Sequence, residues 1–284
     1  MIRFIKDKLR WFLYKGLYKP GHFYSPVPDL QYVTSSAGRI FGKDDMVGIN
    51  INAERQNEFL LKMIDLREDF KWPKHKTAGY RYHCANDYFI APDAFSLYSM
   101  MMIVKPKRII EIGSGFSSAV MMDTNERFLD NTTTIDFIDP YPERLNSLVT
   151  DTDRSTGRYN FHTNFIQNVD ISLFGELEEN DMLFVDSSHV SKVGSDLNHI
   201  LFQIIPRLKK GVFIHFHDIF YPLEYPRDWV EKGIYWNEVY LIRAFLMYNS
   251  HFEIIFFNNY HVNFQYPGLE EPYTGGSLWL RKTL

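Results

Sequence analysis

The sequence predicts a doubly wound α/β fold: a mostly parallel seven-stranded sheet with helices on both faces, ending in an antiparallel hairpin and preceded by a helical and irregular extension. Three observations carry this reading. From about residue 86 short apolar runs alternate with helical segments, the pattern of a parallel sheet buried on both faces. The first run ends in Glu111-Ile112-Gly113-Ser114-Gly115, two glycines where a plain turn out of a strand needs one. The last two runs, 252–257 and 277–281, have no helix between them and therefore pair antiparallel or leave the sheet.

Composition narrows the class. The chain has 284 residues, 45% hydrophobic and 17% aromatic, which excludes disorder as a general description and allows a sizeable core. Lys and Arg number 31 against 35 Asp and Glu, a net charge of -4, so no nucleic-acid partner is expected. Cys84 is the single cysteine. It allows neither an intramolecular disulfide nor a multi-cysteine zinc site and agrees with a cytoplasmic location.

The elements follow in order. Ile2, Ile5, Leu9, Phe12 and Leu13 recur at helical spacing among Arg3, Lys6, Lys8, Arg10 and Lys15. Charges interrupt every apolar run, so no stretch reaches the ~20 residues of a membrane span. Two readings stay open: a helix docked on the domain or on a second copy in a homo-oligomer, or peripheral contact with an anionic membrane surface. Residues 20–48 read as irregular chain. Asn52 caps a helix whose buried side is Phe59, Leu60, Met63, Ile64 and Leu66. Residues 1–80 are thus a lid-like extension and residues 81–284 the main domain. In that domain a helix over 91–104 is stopped by Lys105-Pro106-Lys107. Strands are expected over 108–112, 134–139, 161–166, 182–186 and 211–217, with helices over 117–128, 142–149, 195–208 and 236–247.

The glycine loop points to a nucleotide-like ligand at the carboxyl ends of the strands, with Ser117 where the next helix begins. A dinucleotide fingerprint would place glycine at position 118, which is Ser118. Glu111 is awkward beside a pyrophosphate but suits a ligand carrying positive charge. Asp139 closes the second strand, where a carboxylate accepts hydrogen bonds from ribose hydroxyls. Together they favour a cationic adenosine cofactor.

Glu111-Ile-Gly113-Ser-Gly115, Ile138-Asp139-Pro140, Met182-Leu-Phe-Val-Asp186-Ser-Ser-His189 and the terminal hairpin, in this order, resemble the class I S-adenosylmethionine-dependent methyltransferases, over roughly residues 86–284. The resemblance is greatest to the small-molecule O-methyltransferase branch, whose fourth strand ends in Asp-Gly-Asp-His. It implies a Rossmann-like fold and S-adenosylmethionine held by Glu111, Gly113, Ser114, Gly115, Ser117, Asp139 and Asp186. It also implies a small-molecule methyl acceptor such as a sugar or a glycosylated or lipid-linked metabolite. Ser117 departs from the third glycine of the family's Gly-x-Gly-x-Gly form, and Ser187-Ser188 from its Gly-Asp.

Asp186 and His189 follow the fourth strand, and His215, His217 and Asp218 end the fifth. The family's metal-dependent members imply a divalent ion on Asp186, His217 and Asp218. Without a metal, His189 or His217 would take the acceptor proton, since an imidazole with a pKa of about 6.5 suits that work, and Asp218 is read as a further catalytic residue. His215, between apolar neighbours, reads as strand-end packing. The segments 86–89 and 220–226 either wall the acceptor pocket or simply pack. The rival readings are an oxygenase whose metal sits on His215, His217 and Asp218, and a non-catalytic cofactor-binding protein of a membrane-associated assembly.

Overall fold

Lys105 turns the chain out of the longest buried helix among the described residues. At φ 52° it is left-handed, its amide bonds to the Met101 carbonyl, and Pro106 cannot continue the helix. The first strand of the sheet begins three residues later. The structure, a computed structural model, describes residues 17–261 and 274–284; the expected N-terminal helix positions 2–15 lie outside the described residues.

Contacts divide the chain into two compact units, Met46–Leu223 with Asn237–Leu284, and Met1–Asp45 with Glu224–Trp236. Residues 46–80, read from sequence as extension, thus belong with the sheet. In the smaller unit the short helix Leu30–Ser35 is capped by the Asp29 side chain, which accepts from the Gln31 and Tyr32 amides, and the Trp229 and Trp236 rings lie 5.4 Å apart, edge to face.

The larger unit contains α1 (Ala53–Asp65), α2 (Ala91–Val104), β1 (Arg108–Ile112), α3 (Phe116–Phe128), β2 (Thr134–Ile138), β3 (Tyr159–His162), β4 (Met182–Val185), α4 (Asp196–His199), β5 (Phe213–Phe216), α5 (Glu238–Leu246), β6 (Phe252–Phe257) and β7 (Leu278–Lys282). The strand order is β3-β2-β1-β4-β5-β7-β6. The first five strands are parallel and β7 runs antiparallel to both β5 and β6. Strand order reverses between β1 and β4, which places a ligand crevice at their carboxyl ends. Ile109, Ile110, Leu183, Phe184, Ile214 and Phe216 are buried, as strands covered on both faces require.

Several local expectations shift, among them the irregular chain read over 20–48, which holds the helix Leu30–Ser35, and Ile64 of α1, which is exposed. Asn52 sits at the head of α1 but does not cap it; its Nδ2 donates to the Ile254 carbonyl of β6 at 3.1 Å. β3 begins at Tyr159, because Ile166 has already entered the short turn Ile166–Asn168. The helix expected over 142–149 is the single turn Glu143–Asn146. After α4 the helix widens into a π turn at Ile200–Ile204 and tightens at Ile205–Arg207, where Pro206 removes a donor.

Candidate active site

The loop after β1 is shaped by its neighbours. Gly113 has φ +83°, and a Cβ there would lie 1.8 Å from the Asp186 carbonyl oxygen. Glycine is needed because the loops after β1 and β4 nearly touch. Gly115 is extended, at φ 173°, and a Cβ there would meet the Arg144 Cδ at 2.8 Å. That guanidinium lies over the Tyr88 ring, 3.6 Å from its centroid.

Glu111 does not line the cavity. It is buried and accepts from the Ser117 hydroxyl at 2.6 Å and from the Ser118 hydroxyl. Ser118 in turn accepts from the Gly115 amide at 2.9 Å, a bond that glycine at the third fingerprint position would forfeit. Burial pushes the Glu111 carboxyl up to about 8, with the charges of Asp186 and Asp139 adding to it against the two serine bonds. Glu111 and Ser117 therefore build the start of α3, and the ligand-facing wall is formed by others.

That wall surrounds a cavity of about 510 Å³ whose lining includes Gly113, Asp139, Tyr141, Phe165, Asp186 and Ser187. Asp139 accepts from the Ser114 amide at 2.9 Å and the Tyr141 amide at 2.8 Å, so its carboxylate joins two loops and keeps lone pairs for further donors. The Ser114 and Ser187 hydroxyls are buried without a hydrogen-bond partner among the described residues. Of these two only Ser187 lines the cavity; its orphaned hydroxyl, two acids and a small-molecule-sized volume fit a cationic nucleoside. Tyr141 and Phe165, edge to face at 5.9 Å, had no motif to mark them.

Beside the cavity the ends of β4 and β5 converge. Asp186 bonds through its amide to the Ile112 carbonyl and His217 to the Val185 carbonyl, both at 2.9 Å. His189 Nε2 lies 3.3 Å from Asp186 and 3.7 Å from Asp218, and its Nδ1 lies 2.7 Å from Glu238. His217 Nε2 is 3.8 Å from Asp218, and its ring packs 5.1 Å from Phe89. Of the segment 86–89, Asn86 shapes the turn by accepting from the Tyr88 and Phe89 amides.

The charges are mutually dependent. Burial alone would lower His189, but its bonds to Asp186 and Glu238 raise it well above the ordinary histidine value. Burial would likewise lower His217, and the charges of Asp218, Asp186 and Asp93 raise it. Burial would raise Asp186, but His217, the bond to His189 and Arg144 together hold it below the usual carboxylate range. Asp218 is raised by burial, opposed by His217 and His189. Sequence reasoning missed Glu238 and Asp93, both buried, because each lies in an otherwise ordinary helix.

His215 is packing: it is fully buried, stacks on Phe184 at 3.8 Å and meets the Ser277 hydroxyl at 3.0 Å. Among the described residues no group of three or more His, Cys, Asp or Glu is arranged to hold a metal ion. The expected set Asp186, His217 and Asp218 is not such a group; both carboxylates lie against His189 Nε2 instead. The oxygenase set with His215 is not assembled either.

A family model described as a methyltransferase domain matches residues 110–219. The chain is 33% identical over 176 residues to an uncharacterized protein of Archaeoglobus fulgidus, covering 58% of this chain and 75% of that one. Similar solved structures include the SAH-bound methyltransferase PaMTH1 of Podospora anserina, at TM-score 0.45 and 16% identity over 95% of this chain and all of that one. Another is the O-methyltransferase TomG of Streptomyces achromogenes, involved in tomaymycin synthesis and solved with SAM, at TM-score 0.44 and 14% identity over 89% of this chain and 96% of that one. With the family match on this strand order and glycine loop, the chain belongs to the class I S-adenosylmethionine-dependent methyltransferases. No helix among the described residues is long and apolar enough to cross a membrane.

Proposed function

We propose that the chain methylates a hydroxyl of a small molecule, a sugar or a glycosylated or lipid-linked metabolite. The observation that supports this best is the cavity bounded by Gly113, Asp139 and Asp186 beside the cluster of His189, His217 and Asp218. Asp139 would take the ribose hydroxyls on its remaining lone pairs, and Ser187 would satisfy its hydroxyl on the same ligand. Bound there, S-adenosylmethionine supplies a methyl group already activated on a positively charged sulfur. The protein's own work is then to align the acceptor and take its proton.

Both nitrogens of His189 face carboxylates, so it has no lone pair to spare as the base that the sequence suggested. Asp218 is better placed: it sits at the strand exit in a left-handed conformation, φ 55°, part-exposed at its side chain. Its raised pKa brings it nearer the strength useful in a general base. The charges of His217, His189, Asp186 and Asp93 act on Asp218, and turnover should fall as acid protonates Asp218.

Isothermal titration with S-adenosylmethionine, S-adenosylhomocysteine and NAD tests the cofactor reading. The first two should bind one to one and NAD should not; tight NAD binding, or none by all three, would overturn it. Asp218→Asn should bind the cofactor like the parent chain and lose ~100-fold or more in methyl transfer. Unchanged transfer would remove Asp218 from the role of base.

A further inference from the structure

Glu238 lies 49 residues beyond His189 in sequence and outside every motif, yet only 1% of it is exposed. Its Oε2 is 2.7 Å from His189 Nδ1, while Oε1 is buried with no hydrogen-bond partner among the described residues. A buried carboxylate compensated on one oxygen only is costly and a poor device for stability. Nor is that carboxylate needed to hold the loop. The His189 carbonyl accepts from the Asn237 and Glu238 amides, each at 3.1 Å. The Asn237 side chain exchanges two hydrogen bonds with the Ser191 backbone, at 2.6 and 3.2 Å. What remains for the carboxylate is the imidazole ring itself.

We infer that Glu238 is a positioning residue that takes the Nδ1 proton of His189 in a hydrogen bond and thereby aims Nε2 at the gap between Asp186 and Asp218, where the acceptor hydroxyl is deprotonated. The inference rests on the methyl-transfer reading of that gap. An imidazole held at one nitrogen presents the other in a fixed direction, and which nitrogen faces the site is set by the partner behind it. His189 is the residue that needs this support, because it is itself left-handed, at φ 58°, and its Nε2 reaches two carboxylates from different strands. A ring free to flip would present carbon to them for part of the time.

The test uses the full chain labelled with ¹⁵N-histidine and saturated with S-adenosylmethionine. His189 signals are assigned by their loss in His189→Gln. In the parent chain one ring state with a hydrogen-bonded Nδ1 proton is expected. Glu238→Gln should shift or broaden that proton while cofactor affinity, by titration, stays within ~3-fold, as for a residue that does not touch the ligand. On a hydroxyl acceptor obtained by screening, Glu238→Gln should lower kcat ~100-fold with little change in KM, the scale of a misplaced catalytic group. In a His189→Gln background the same change should cost less than ~2-fold, because a residue acting through another loses its effect with it. Unchanged His189 signals, or an equal loss in both backgrounds, would overturn the inference. Should Glu238→Gln not fold, Glu238→Asp withdraws the same carboxylate by one methylene and should move the same signals. Absence of cofactor binding by the parent chain would instead condemn the methyl-transfer reading.

Discussion

At the scale of single residues, the two glycines of the β1 loop serve different ends and should respond differently to one methyl group. Gly113 is left-handed and a Cβ there would strike the Asp186 carbonyl, so Gly113→Ala should cost at least ~2 kcal/mol in urea unfolding. Gly115 is extended, and the nearest atom to its would-be Cβ is the side-chain Cδ of Arg144. Gly115→Ala should therefore cost less than Gly113→Ala, since a side chain can shift where a backbone carbonyl cannot; equal costs would refute the distinction. Glu111 sets a pH dependence. Its folded pKa, raised to about 8 from 4.5, means that the folded chain binds more protons than the unfolded one between those values. The stability it contributes is complete below 4.5 and lost as pH rises through about 8. The stability of the wild type relative to Glu111→Gln should thus fall between about pH 5 and about pH 8.5. A constant difference would mean that Glu111 titrates normally.

At the scale of elements, the terminal strands show what pattern reading reaches. Both runs were legible as apolar strands without an intervening helix, but nothing in their residues tells which of the two lies at the edge. The structure places β7 inside, between β5 and β6, with Trp279 fully buried and its Nε1 donating to the Ser96 hydroxyl of α2 at 3.0 Å. Trp279→Ala should accordingly cost ~3–5 kcal/mol in denaturant unfolding; a loss below ~1 kcal/mol would be inconsistent with an interior strand. The start of α3 was legible as a glycine turn, whereas the bond from Gly115 through Ser118 to Glu111 was not. It depends on a buried carboxyl from the preceding strand folding back over two serines.

At the scale of the whole molecule, the alternation of strands and helices, the glycine loop and the acids ending β1, β2 and β4 were set by local sequence. Apolar runs, glycines and strand-terminal carboxylates act through short-range geometry and solvation, which a chain carries wherever it folds. From these alone the class of fold and the adenosine-type cofactor could be read. Long-range pairing decided the rest. Strand order brought Asp186 and His217 side by side, the approach of two loops made Gly113 obligatory, and α5 carried Glu238 to His189. Glu238 shows the reason most plainly: a glutamate at a helix start has the same local chemistry whether it faces water or an imidazole. Its partner is chosen only when the sheet and its helices close, because the burial that couples the two groups does not exist until then.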